Sequence, residues 1–215
     1  MLCREFFGKQ PLKSGEIRCI VLHRTRSHST EPSSSMKKIV VITGSPRKGA
    51  TEGMADAFQQ AAESKEYEIV RFNASTLNVA GCRNCNACGR VPGRTCVFDD
   101  DFTPIAKAVL EADGLVLATP LYWYSWPWQI KATLDRFYSF LIGGFDLAGK
   151  KAALIASCGD SSTDAMDGLV FSFRRTIGLL KMDEAGIVLI PGLHATDEYL
   201  KTDACAQASA LVDRF

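Results

Sequence analysis

"KKIVVITGSPRKGAT", residues 37–51, decides the fold. Ile39, Val40, Val41 and Ile42 form an unbroken apolar run, as a strand buried on both faces of a sheet requires. The run ends in a polar turn with glycines at 44 and 49, and a helical pattern follows at once. In "TEGMADAFQQAAES" (51–64), Met54, Ala55, Phe58 and Ala62 fall on one helical face. A buried strand, a glycine-flanked loop and an amphipathic helix open an α/β domain in which strands run parallel.

The alternation continues along the chain. Strands are expected at 67–75, 114–120, 151–160 and 185–192, with helices at 99–113, 127–141, 164–181 and from about 197 to the end. Phe102, Ile105, Val109 and Ala112 share the inner face of the helix at 99–113. Five strands joined by helical crossovers predict a parallel sheet covered by helices on both sides. Ligands of such sheets bind outside the carboxyl ends of the strands. The loops after the first, third and fourth strands are therefore where chemistry is expected.

Bulk properties narrow the function. Hydrophobic residues are 47% of the 215-residue chain and charged residues 23%, enough for a full core. Residues 1–35 carry six Lys/Arg against three acids, a net +3, and residues 36–215 carry 19 against 21, a net −2. A nearly neutral body without a basic stripe gives no support for nucleic-acid binding. No apolar run reaches the length of a membrane span. Residues 1–35 are Ser-rich and lack apolar period, while Glu5, Glu16 and Glu31 weaken a transit-peptide reading. They are read as a disordered or non-native extension, with the domain at 36–215. The eight cysteines, the sizeable core and the lack of a signal-peptide pattern point to a reducing, cytoplasmic setting.

The first loop, 43–51, resembles a P-loop in Gly44, Gly49 and Thr51, but Ala50 replaces the lysine that a nucleoside triphosphate needs. The loop still suits one phosphomonoester. The helix N-terminus offers backbone N–H groups, Ser45 and Thr51 offer hydroxyls, and Arg47 and Lys48 offer charge. A turn needing Gly and Pro for geometry alone is the plainer reading. The third loop, "PLYWYSWPW" (120–128), is rich in aromatics and suits a planar heteroaromatic against Pro120, Leu121, Tyr122 and Trp123. Trp126 and Trp128 read equally as ligand contacts or as subunit interface and core filler. The fourth loop, "SCGDSS" (157–162), is small and polar; Ser157, Gly159 and Asp160 can meet the polar edge of a ring, or Asp160 can cap the next helix. One phosphate and one flat tricycle describe FMN better than a dinucleotide.

Between the second strand and second helix lies "GCRNCNACGRVPGRTC" (81–96), spaced C-x2-C-x2-C-x7-C. Cys82, Cys85, Cys88 and Cys96 admit three readings: a metal centre, a redox thiol pair, or bare thiols. Elsewhere, Lys131 and Asp135 are spaced for a surface pair, Arg136 reads as a solvated side chain ahead of an interface one, and His194 as a surface loop residue ahead of one near the flavin.

With "TGSPRKGAT" (43–51), "ADGLVLATPLYWY" (112–124) and "IKATLDRFY" (130–138) in this order, residues 36–215 resemble the NADPH-dependent FMN reductase superfamily. The resemblance implies a flavodoxin-like three-layer sandwich with strand order 2-1-3-4-5. It implies FMN phosphate at Ser45, Arg47 and Thr51, and the ring between Pro120–Trp123 and Ser157, Gly159 and Asp160. Many relatives place asparagine before the loop threonine, and Ala50 departs from that pattern. The resemblance also implies NAD(P)H as co-substrate and a homodimer or homotetramer. The cysteine stretch is similar to that of the iron–sulfur flavoprotein branch, whose compact motif holds a [4Fe-4S] cluster. Four thiolates in close reach are what such a cluster needs, and Arg83, Arg90 and Arg94 would offset its charge. Four cysteines would also suffice for zinc. The resulting expectation is an oxidoreductase passing hydride from a nicotinamide to FMN and on to a quinone, flavin or similar acceptor. An electron carrier without substrate turnover is the rival, and a non-redox binding module on the same scaffold is a third.

Overall fold

The computed structural model describes residues 36–215. The reading of residues 1–35 as an extension falls outside the described residues. Five parallel strands form one sheet: β1 (Lys38–Thr43), β2 (Glu68–Asn73), β3 (Gly114–Pro120), β4 (Lys151–Ser157) and β5 (Asp183–Ile190). Their order is β2-β1-β3-β4-β5, as the resemblance implied. The helices are α1 (Ala50–Glu63), α2 (Phe102–Glu111), α3 (Trp128–Arg136), α4 (Tyr138–Ile142), α5 (Asp167–Leu179) and α6 (Ala204–Ala210).

Strand alternation sorts the core into two layers. Ile39 and Val41 of β1, Val116 of β3 and Ile155 of β4 pack with Met54, Ala55 and Phe58 of α1 and with α6. Val40 and Ile42, Leu115 and Leu117, and Leu154 face the other way, onto α2, α3, α4 and α5. Every one of these side chains is buried. Apolar residues at successive strand positions are thus explained: each face of the sheet has its own helical cover. Met54, Ala55, Phe58 and Ala62 on α1, and Phe102, Ile105, Val109 and Ala112 at α2, are all buried, as their spacing predicts.

Three elements depart from expectation. The helix at 127–141 is broken at Phe137, whose N–H reaches Leu134 three residues back rather than four. The tightened turn sends Phe137 and Phe140 into the core, with ring centroids 5.0 Å apart, beside Phe102. The C-terminal segment is not one helix: a 3-10 turn at Glu198–Lys201, α6, and a final 3-10 turn at Leu211–Arg214 replace it. The expected strand at 151–160 stops at Ser157, where a loop begins.

Because the strands are parallel, their carboxyl ends meet at one edge. Thr43 pairs in register with Asn73 and Ala118, Pro120 with Ser157, and Ser157 with Ile190. The loops after β1, β3, β4 and β5 therefore converge. Gly44 opens the first of them close against α3. A Cβ there would stand 2.6 Å from the Ile130 side chain, so any larger residue must displace Ile130.

Candidate functional site

The converging loops line a pocket of about 140 Å³ that opens to solvent at the carboxyl edge of the sheet. Its floor comes from the β1–α1 loop. Ser45 is buried there, its Oγ donating to the Arg47 carbonyl at 2.8 Å and accepting from the Arg47 N–H. The end of β2 steadies the loop, with Asn73 Nδ2 and Ser75 Oγ both donating to the Ser45 carbonyl. Arg47 lines the pocket with an exposed side chain. Gly49 precedes α1 without a side-chain cap. The first intrahelical bond runs from Gly53 N–H to the Gly49 carbonyl, so the N–H groups of Gly49 to Glu52 have no acceptor inside the helix. An uncapped N-terminus of a fourteen-residue helix carries positive potential toward the pocket.

The remaining walls follow from the other strand ends. Thr51 Oγ1 and Ser157 Oγ lie 3.1 Å apart, tying the start of α1 to the end of β4. Pro120, Leu121 and Tyr122 form the wall after β3, held by the Leu121 N–H donating to the Ser157 carbonyl. Cys158 and Gly159 form the wall after β4. The Cys158 thiol donates to the Asp160 carbonyl, and burial pushes it above the ordinary thiol range, which keeps it protonated and uncharged.

Of the eleven residues expected at this site, eight line the pocket: Ser45, Arg47, Thr51, Pro120, Leu121, Tyr122, Ser157 and Gly159. Lys48 instead lines a neighbouring depression with Glu52 and Asp56. Asp160 is turned to its own loop, its carboxylate accepting from the Ser162 N–H and its carbonyl from the Gly192 N–H. Trp123 is 93% exposed, because it and Tyr124 both adopt left-handed backbone (φ 46° and 61°) in a tight turn closed by the Tyr122–Ser125 bridge. Bulky residues are uncommon in that conformation, and such backbone clusters at functional surfaces. Trp126 proves to be core, with its indole N–H donating to Ser172 Oγ, whereas Trp128 is exposed.

The segment after β5 completes the pocket, and the sequence pattern did not single it out. Leu193, His194, Ala195 and Thr196 line it. Glu198 fixes them, its carboxylate accepting from the His194 and Ala195 N–H groups, which hold that carboxyl below its usual range. His194 is an exposed loop residue as expected, and it also sits at the pocket. The signal available was positional: Pro191–Gly192 marks a turn at the same sheet edge as the other three loops.

A second, much smaller hollow, of about 20 Å³, is lined by all four motif cysteines, Cys82, Cys85, Cys88 and Cys96. None is in a disulfide. Asn84 and Asn86 take left-handed backbone between the first three, which curls the chain around the hollow. Arg83 stacks over Phe98, and Arg90 donates to the Cys85 carbonyl. Among the described residues no three His, Cys, Asp or Glu side chains stand ready-grouped to hold a metal ion.

The solvated reading of Arg136 is overturned at this hollow. The side chain is 2% exposed and lines it. It pairs with Asp100, lies over the Phe102 ring, and donates to the carbonyls of Ala80 and Phe98. The preceding fragment "IKATLDRFY" looks like an exposed helix, but its arginine turns inward because Asp100 and two loop carbonyls await a cation there. Lys131 and Asp135 do pair on the surface, as their spacing predicts.

The chain belongs to the family described as flavodoxin-like fold, whose model matches residues 37–212. An iron-sulfur flavoprotein of Methanosarcina thermophila is 35% identical over 120 residues, covering 55% of this chain and 62% of that protein. A Bacillus subtilis protein named "Putative NAD(P)H-dependent FMN-containing oxidoreductase YwqN" is 26% identical over 184 residues, covering 82% of this chain and 97% of its own length. Among solved structures, the NAD(P)H:quinone oxidoreductase from Methanothermobacter marburgensis superposes with a TM-score of 0.63 at 17% identity, over 83% of this chain and 96% of that one, a likeness of fold. No helix among the described residues is long and apolar enough to cross a membrane.

Proposed function

We propose that this chain is an FMN-dependent oxidoreductase that takes hydride from NAD(P)H and reduces a quinone, a flavin or a similar acceptor. The observation that carries the reading is the pocket at the strand ends. It combines an uncapped helix N-terminus, two buried hydroxyls and an exposed cation, Arg47, with a wall at Pro120–Tyr122. That donor set fits one phosphomonoester attached to a planar ring. Ser45, Arg47, Thr51 and the α1 amides hold the phosphate in this reading. Pro120, Leu121 and Tyr122 face the ring, opposite Ser157 and Gly159. Bound FMN would supply hydride acceptance from the nicotinamide and electron delivery to the acceptor; the protein positions both. The neutral Cys158 thiol and the His194 loop shape the ring's polar edge. Trp123, next to Tyr122 and exposed, offers a stacking surface to nicotinamide or acceptor.

A second redox site is favoured by the four-cysteine hollow. Four free thiols on one hollow, with the loop ends tied by a buried arginine, fit a [4Fe-4S] cluster once the loop draws the thiols together. The similarity to an iron-sulfur flavoprotein of Methanosarcina thermophila favours this reading. Such a centre would relay single electrons to or from FMN.

Anaerobic stopped-flow mixing of the FMN-loaded chain with NADPH and with NADH tests the proposal. The expected result is rapid bleaching of the flavin absorbance by at least one of them, with turnover when a quinone is added. Reduction by dithionite alone would make the protein an electron carrier instead.

A further inference from the structure

Two buried donors at the cysteine hollow have no partner among the described residues: Arg136 Nε and Ser139 Oγ. Both residues line the same hollow as Cys82, Cys85, Cys88 and Cys96, and Ser139 is only 4% exposed. Burying an unpaired hydroxyl or guanidinium N–H is unfavourable, so a native protein keeps such groups where something accepts from them. Both terminal nitrogens of Arg136 are engaged. Nη1 bonds Asp100 and the Ala80 carbonyl, and Nη2 bonds the Phe98 carbonyl. Those two carbonyls bracket the cysteine segment, Ala80 lying two residues before Cys82 and Phe98 two after Cys96.

Asp100 extends the same clamp. Its carboxylate accepts from the Ala80 and Phe102 N–H groups besides pairing with Arg136. The mouth of the loop is thus closed by one ion pair, while the buried Nε–H of Arg136 is left without an acceptor among the described residues. Acceptors of the right kind for a spare cationic N–H and a spare hydroxyl are anionic sulfur atoms, thiolate or sulfide.

We infer that Arg136 and Ser139 are positioning residues of the four-cysteine hollow: Arg136 closes the loop that carries the thiols, and its Nε–H together with the Ser139 hydroxyl donates to the anionic sulfur of a cluster bound there. This rests on the cluster reading above. The consequence is electrical. When the oxidised cluster takes one electron from dithionite through mediator dyes, its negative charge rises by one, and nearby donors stabilise that reduced form more than the oxidised one. Removing a donor therefore lowers the reduction potential.

The test uses the full chain, reconstituted anaerobically with iron, sulfide and FMN, as wild type, Ser139→Ala and Arg136→Lys. Iron and acid-labile sulfide are assayed, FMN content is read from absorbance, and the cluster is titrated potentiometrically with low-temperature EPR. Ser139→Ala is expected to load iron, sulfide and FMN like wild type. Its reduced-to-oxidised ratio at fixed potential should fall about tenfold, equivalent to about 59 mV for a one-electron couple. Arg136→Lys keeps the charge but has neither the fork nor Nε, so its iron content should fall to about half or less while FMN content is unchanged. If wild type loads iron and sulfide yet both variants match it in content and potential, the donor inference is overturned and the cluster reading stands. If wild type takes up no iron or sulfide, the cluster reading fails and the inference with it. Should Arg136→Lys not fold, Ser139→Ala alone decides.

Discussion

Arg47→Ala is expected to weaken FMN binding by about tenfold to a hundredfold and to leave stability almost untouched. Charge-assisted hydrogen bonds are worth about 1.5–3 kcal/mol, and each 1.4 kcal/mol is about a factor of ten. The Arg47 side chain is exposed, and the contacts that fix its loop come from its backbone and from Ser45, Asn73 and Ser75. Its loss should therefore stay within about 0.5 kcal/mol in unfolding experiments, as for other surface substitutions. Quenching of flavin fluorescence measures the affinity, and a thermal melt of the apo chain measures the stability. Arg47→Lys should recover only part of the loss, because an ammonium supplies charge without the planar fork. Equal FMN affinity in wild type and Arg47→Ala would remove the loop from the phosphate site.

The largest effect on stability is expected at Arg136. Arg136→Met leaves the Asp100 carboxylate, which is 15% exposed, beside two carbonyls that have lost their donor. Breaking a buried ion pair from one side destabilises by about 3–5 kcal/mol. For a domain of this size that corresponds to a fall in Tm on the order of 10 °C. Asp100→Asn combined with Arg136→Met should be less destabilising than the sum of the two single changes, since no uncompensated charge remains. A double-mutant cycle by urea denaturation reads this directly. Additive effects, or a change under about 1 kcal/mol for Arg136→Met alone, would mean that the clamp contributes little.

How much of this was legible in the sequence differs by layer. Ile39–Ile42, Leu115–Ala118 and Ala152–Ala156 announce buried parallel strands because nothing polar interrupts them, and Met54, Ala55 and Phe58 announce the helix that covers one face. Eight pocket residues were reachable because parallel strands place their following loops at a common edge. Side-chain direction was not reachable. Lys48, Trp123 and Asp160 sit in the right loops, yet a turn with two left-handed residues carries Trp123 outward and an Asp160–Ser162 turn folds the carboxylate back. Arg136 looked solvated because its partners, Asp100, Ala80 and Phe98, are 36 or more residues away in the chain. The break at Phe137 has the same origin: tertiary packing around Phe102 overrides an otherwise helical pattern.

The most direct measurement is a paired titration of the purified chain with FMN and with riboflavin, which carries the same ring without the phosphate. Saturable binding of one FMN per chain is expected, with riboflavin affinity weaker by about tenfold or more, the contribution of a charge-assisted phosphate cradle. Failure to bind FMN, or equal affinity for the two flavins, would contradict the proposed FMN site.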